Sequence, residues 1–320
     1  MKYLKKIPNV LLTVCVSTIS IGANAATVEG VVKYINGDYG TGYDYDGYKA
    51  EIKISPDDSK TYFPIEARDY NHKDGHEYNR LGFGVGHKFV FDSGYITPEV
   101  KLRSESWIYP ANITDFDWLV TKTMYAFKVN DYYGWAGRFD LGIINAEIDK
   151  TDGGNNKWDQ YFVELRPGLR LTPFSKLKKV DFFKGTGFDK SRIDLIMYYQ
   201  INDSTRGGVE SQAGGKFDLD SDKEIKQFRI ETNFKYNNLA IGPYVRIPLS
   251  HKENSYYSTN QPQVEYNTTR LGLRLAYNHT KNFGLVADIY RDEKEFTDEF
   301  SANNKDSSSD IIEVGVKFKF

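Results

Sequence analysis

Apolar and polar residues alternate at period two in segment after segment of this chain, each about ten residues long. Beyond residue 25 no apolar run is long enough for a membrane helix. Short turns rich in Asn, Asp, Gly and Pro alternate with longer polar loops. Period two is that of a β-strand, whose successive side chains point to opposite faces. Together these observations predict an all-β fold, a transmembrane antiparallel up-and-down β-barrel of 14 strands with a water-filled lumen.

The first element is a leader. Lys2, Lys5 and Lys6 precede an apolar run from Ile7 to Ile21, and Ala23-Asn24-Ala25 follows. Charged head, short apolar stretch and A-x-A site predict a secretory signal peptide over 1–25, cut after Ala25. Val14 before Cys15 argues against lipidation, and Cys15 is the only cysteine, so residues 26–320 can form no disulfide and no cysteine metal site. Those residues read as a single barrel domain.

Strands are expected near Val28–Asn36, Tyr48–Ser55, Thr61–Tyr70, Asn79–Phe89, Tyr95–Glu105, Trp118–Val129, Gly134–Ile148, Trp158–Thr172, Ser191–Gln200, Lys226–Tyr236, Leu239–Leu249, Thr269–Tyr277, Phe283–Arg291 and Asp310–Phe320. An even number puts both termini on one side, the periplasmic side of a Gram-negative outer membrane. The connections Gly37–Gly47, Asn71–Tyr78, Ser106–Asp117, Asp149–Lys157, Ile201–Ile225, Ser250–Thr268 and Asp292–Ser309 are then extracellular loops. Pro173–Lys190 breaks the pattern, being long where a short turn belongs. It reads as extended strand ends with a loose turn, a small ordered plug or docking segment being the alternative.

The last strand sets the phase. Ile312, Val314, Val316, Phe318 and Phe320 share one face, and Glu313, Gly315, Lys317 and Lys319 the other. A terminal Phe on such a strand is typical of outer-membrane barrels, so Gly315, Phe318 and Phe320 are expected to serve as the signal read by the barrel-assembly machinery. Twenty-four Tyr and 20 Phe, several at strand ends (Tyr236, Tyr277, Phe283), match interfacial aromatic girdles. Mean hydropathy is −0.57, compatible with a barrel because only alternate strand residues meet lipid.

Carrying the phase through the strands places most arginines inside with many acids. The expected pore lining is Glu51, Glu66, Arg68, Arg80, Glu99, Arg103, Arg138, Asp140, Glu164, Arg166, Arg170, Arg192, Asp194, Arg229, Glu231, Arg246, Arg270, Arg274 and Asp288, with Glu105 and Glu313. Fourteen strands make a wall too wide for side chains to fill, since about eight already enclose a packed interior. A wet lumen tolerates these charges. They serve either as a ladder that stiffens the wall or as a field that selects solutes by size and charge. The inward set leans basic, so a mild preference for anionic solutes is expected.

The last third resembles a known family. Gly242-Pro243-Tyr244-Val245-Arg246, Thr269-Arg270-Leu271-Gly272-Leu273, Gly284-Leu285-Val286-Ala287-Asp288-Ile289-Tyr290 and Val314-Gly315-Val316-Lys317-Phe318-Lys319-Phe320 look like the outer membrane protein G family of monomeric 14-stranded porins; Asp46-Gly47 continues the likeness more weakly. The resemblance implies a monomeric pore for mono- and oligosaccharides. It also implies a gate in the loop before the twelfth strand, released at low pH by a histidine pair. The candidate gating loop carries His251, Tyr256 and Tyr257. The positions matching the pair are Tyr266 and Phe296, so the pH switch is expected to be absent. His251 reads as a solvated loop residue.

Other functions fit less well. His72 and His76 with Asp69 and Asp74 form the one candidate catalytic cluster, but no Ser–His pairing accompanies them. Asp218-Leu219-Asp220-Ser221-Asp222 lacks the glycine and glutamate of a calcium loop. No enzyme activity, cofactor, metal or nucleic-acid partner is expected. Outer-membrane lipids, lipopolysaccharide, periplasmic chaperones and small solutes are the expected partners. An adhesin or structural barrel with a plugged lumen is the rival reading.

Overall fold

The computed structural model describes residues 26–38, 44–110, 112–150, 155–210, 216–218, 223–253, 264–297 and 306–320. The leader 1–25, Tyr256, Tyr257 and the acidic run 219–222 lie outside the described residues. The wall strands are β1 (Ala26–Asp38), β2 (Tyr45–Pro56), β3 (Thr61–His72), β4 (Glu77–His87), β5 (Gly94–Ile108), β6 (Asn112–Lys128), β7 (Tyr133–Lys150), β8 (Asn155–Leu171), β9 (Arg192–Glu210), β10 (Lys223–Tyr236), β11 (Leu239–Glu253), β12 (Val264–Asn278), β13 (Phe283–Phe296) and β14 (Ser307–Lys319). Each pairs antiparallel with its neighbours in chain order. β14 closes on β1, with Val316 opposite Val32, and Phe320 and Val28 exchange backbone hydrogen bonds of 2.8 Å. Closure leaves no open edge. Two short strands, Phe89–Phe91 and Lys216–Asp218, pair against β5 and β9.

Ala26 and Phe320 share one rim, here the near rim; the opposite rim is the far rim. Near-rim turns are tight apart from the long β8–β9 connection. Asn237, with φ of 53°, turns the β10–β11 hairpin, a conformation asparagine tolerates. The outward face is apolar, as the alternation demands, with Leu271 the most exposed of its strand residues at 66 %. Tyr236, Tyr277, Phe283 and Phe320 stand outward near the near rim as the expected girdle.

Inward tyrosines lie over glycines of the next strand and reach the strand beyond. Tyr62 on β3 crosses Gly86 on β4 and donates to Glu99 on β5 at 3.0 Å. Tyr244 on β11 crosses Gly272 on β12 and donates to Asp288 on β13 at 3.0 Å. A Cβ at Gly86 or Gly272 would fall 2.3 Å from the tyrosine ring, so only glycine allows the crossing.

Three expectations about the fold need correction. The far-rim loops are shorter than predicted, because strands run on into them. β5 reaches Ile108 and β6 starts at Asn112, and β9 extends to Glu210. The pattern breaks there, with Phe116 at an inward position and Asp115 and Asp117 at outward ones, while backbone pairing continues. Pro173–Lys190 is ordered rather than loose, with 3-10 turns at Ser175–Lys179, Asp181–Phe183 and Phe188–Lys190. Phe174 packs on Phe188 and on outward Phe234, and Asn237 donates its backbone N–H to Thr186 at 2.6 Å. The lumen face is also not polar throughout. Ala146, Ile148 and Trp158 cluster with Phe116 on the inner side of β6–β8 toward the far rim.

Candidate functional site: the lumen

Register decides which inward charges meet. Across β3–β6 each of the acids Glu66, Glu99 and Glu105 meets a base. Glu66 accepts from Lys101 Nζ at 3.0 Å and Arg103 Nε at 2.8 Å. Arg80 pairs with Glu105 at 2.8 Å, and Lys122 with Glu99 at 2.8 Å. Tyr78 donates to Glu105 at 3.1 Å. At the closing seam, Lys33 and Lys49 converge on Glu313 at 2.8 and 2.7 Å. Across β7–β9, Arg138 holds Asp140, and Arg166 and Tyr198 hold Glu164 at 2.5 and 3.0 Å. Arg170 and Arg192 share Asp194 at 2.7 and 3.1 Å.

Across β10–β13 the balance changes. Arg274 bridges Glu231 at 3.0 Å and Asp288 at 3.4 Å, and Arg270 holds Asp292 at 2.5 Å. Arg229 and Arg246 stand opposite each other in register, and Arg246 stands opposite Arg270. Among the described residues neither Arg229 nor Arg246 has a carboxylate within ion-pair distance. Arg229 donates only to the neutral Gln227 Oε1, from Nε at 3.0 Å and Nη2 at 2.8 Å, and stacks 3.5 Å from the Tyr198 ring centroid. Arg229 is 5 % exposed, and Arg246 Nε is buried without a hydrogen-bond partner. This row holds three guanidiniums against the one carboxylate of Asp292. Arg68 likewise faces Arg80 and Lys49 in register without an ion pair among the described residues. Glu51 is exposed on the same inner wall and lines, with Glu66, Arg68 and Arg138, a cavity of about 690 Å³.

His251 departs from its expected state. Strict alternation from Arg246 would turn it outward. A bulge intervenes, with Pro248 opposite Gln227 and Ser250 opposite Lys226, which leaves Leu249 without a partner. One extra residue flips the phase. His251 is therefore buried on the lumen side, its ring centroid 3.8 Å from that of Tyr266 and Nε2 3.5 Å from Glu253. It is not a solvated loop residue. Tyr266 and Phe296 are direct cross-strand partners, their rings 5.8 Å apart.

Reading arginines and acids alone missed the lumen lysines Lys33, Lys49, Lys101 and Lys122 and the stitching tyrosines Tyr62, Tyr78, Tyr198 and Tyr244. The same alternation marks all eight. Their partners lie on other strands and depend on register.

No protein-family model and no curated protein sequence matches the chain. Among solved structures it is similar to the translocator domain of the autotransporter NalP from Neisseria meningitidis, at 9 % identity and TM-score 0.51, over 98 % of this chain and 96 % of that one. It is also similar to the Pseudomonas putida toluene transporter TodX, at 11 % identity and TM-score 0.50, over 94 % and 91 %. The likeness is one of fold: the chain is a closed 14-stranded antiparallel barrel of the outer-membrane kind.

Proposed function

We propose that this protein is an outer-membrane diffusion pore for small hydrophilic solutes, including mono- and oligosaccharides, with a preference for anionic ones. The barrel class is supported by the closed wall, its apolar outer belt and the fold likeness. The observation that carries the preference is the Arg229–Arg246 pair, in register and without a carboxylate partner among the described residues. One buried and one half-buried guanidinium on one wall attract a mobile anion from the lumen water, because an unpaired charge drawn out of water is costly. Arg68 adds to this field from the opposite wall.

In this reading the near rim faces the periplasm and the far rim the medium, and the protein works as a monomer among lipids and lipopolysaccharide. Chaperones and the assembly machinery would deliver it through the last strand, where Gly315 lies close against β1 and Phe318 and Phe320 stack 5.8 Å apart. Membership of the outer membrane protein G family belongs to the same proposal. So does the absence of a histidine-pair switch.

Liposome swelling with uncharged and anionic sugars of graded size tests the pore. Swelling that declines with solute size, and faster entry of anionic sugars at equal size, is expected. No swelling with any sugar would contradict it and favour a plugged adhesin or structural barrel.

A further inference from the structure

The sequence alone argues for no metal, yet one far-rim hairpin brings together a donor set. β3 ends at His72, the turn is Lys73-Asp74-Gly75, and His76 leads into β4. The backbone fixes the spacing: His72 donates its N–H to His76 O at 2.9 Å, and Gly75, with φ of 89°, donates to His72 O at 3.0 Å. The two imidazoles stack with centroids 3.7 Å apart and planes 18° from parallel. Asp74 leans back over them, accepting from the His76 backbone N–H at 3.3 Å and contacting its Nδ1.

We infer that His72, Asp74 and His76 form a zinc-class divalent cation site at the barrel rim. Two imidazole nitrogens and one carboxylate oxygen are the borderline donor set that zinc, nickel and copper prefer to calcium or magnesium. Their ligand atoms lie within 4.8 Å of one another. Zinc bonds of about 2.1 Å set tetrahedral donors about 3.4 Å apart, so the donor atoms are close enough once the stacked imidazoles swing apart to aim both lone pairs at one ion. Three protein donors leave a fourth position for water. The surroundings are suited to the task. Tyr45 stacks on His72 with centroids 5.1 Å apart, and Tyr109 stacks on His76 at 5.0 Å, so aromatic faces shield the pair on both sides. His76 is buried, whereas Asp74 is exposed and leaves the site open to an arriving ion. The neighbouring cation, Lys73, is engaged with Asp44 at 2.5 Å. A bound ion would pin the turn at the mouth of the lumen. The inference rests on the hairpin geometry and not on the pore reading.

Calorimetric titration of zinc chloride into the refolded full chain in detergent tests it. One equivalent should bind. His72→Gln and Asp74→Asn should each weaken binding at least tenfold, the lower end of what even supporting residues of metal sites contribute. Asp74→Asn alters an exposed turn residue and keeps the fold, checked by the heat-dependent gel shift of a closed barrel. His251→Gln, at a different histidine on the far rim, should leave binding unchanged. Weakening by either hairpin variant with the fold intact supports the site. No binding by the wild type, or unchanged affinity in both variants, overturns it.

Discussion

The wall from β3 to β6 and the wall from β10 to β12 carry similar side chains and treat them differently. In the first, Glu66, Glu99 and Glu105 lie among Lys101, Arg103, Arg80 and Lys122, and each acid meets at least one base. In the second, Arg229, Arg246 and Arg270 form one row across three strands, with carboxylate contact only for Arg270. The stitching tyrosines are common to both: Tyr62 and Tyr78 donate to Glu99 and Glu105, and Tyr198 and Tyr244 donate to Glu164 and Asp288 while their rings also meet Arg229 and Arg274. Composition is therefore a poor guide to the field in a lumen. Register decides which charges cancel and which do not.

The contrast can be broken from either side. Glu66→Gln removes the carboxylate shared by Lys101 and Arg103, which should cost about 2–3 kcal/mol of stability, since hydrogen bonds to charged groups are worth that much. Urea unfolding in lipid vesicles measures it. Gln227→Glu is the mirror experiment. It places a carboxylate where Arg229 already donates twice, so the barrel should gain about 1 kcal/mol and lose anion preference. Arg246→Gln separates field from fold: removing an unpaired, partly buried charge should cost no stability, while the anion-to-cation permeability ratio falls. The smallest effect is that of salt. Raising it from about 0.1 M to about 1 M shortens the screening length from about 10 Å to about 3 Å, so selectivity should fade without any change in the unfolding midpoint.

Much of this was legible in the alternation. The phase set by Ile312 to Phe320 places the arginines inside, and counting back from that strand returns the fourteen strands found. Features resting on contacts distant in sequence were not legible. Glu66 and Arg103, or Tyr244 and Asp288, meet only because of a particular register. A single bulge at Leu249 reverses the phase and hides His251. Strand ends such as Asn112–Asp117 break the apolar-out pattern, because beyond the apolar belt Phe116 takes an inward position and Asp115 and Asp117 outward ones. The segment Pro173–Lys190 folds through Phe174, Phe183 and Phe188, whose packing no period reveals.

The central claim is that the uncompensated row of arginines sets the selectivity of the lumen. Reversal potentials across a planar bilayer in a potassium chloride gradient test it most directly, comparing the wild type with the Arg229→Gln, Arg246→Gln double variant. The account predicts anion selectivity in the wild type and its loss in the variant with the barrel still folded. Cation selectivity in the wild type, or the same reversal potential in both proteins, would contradict it.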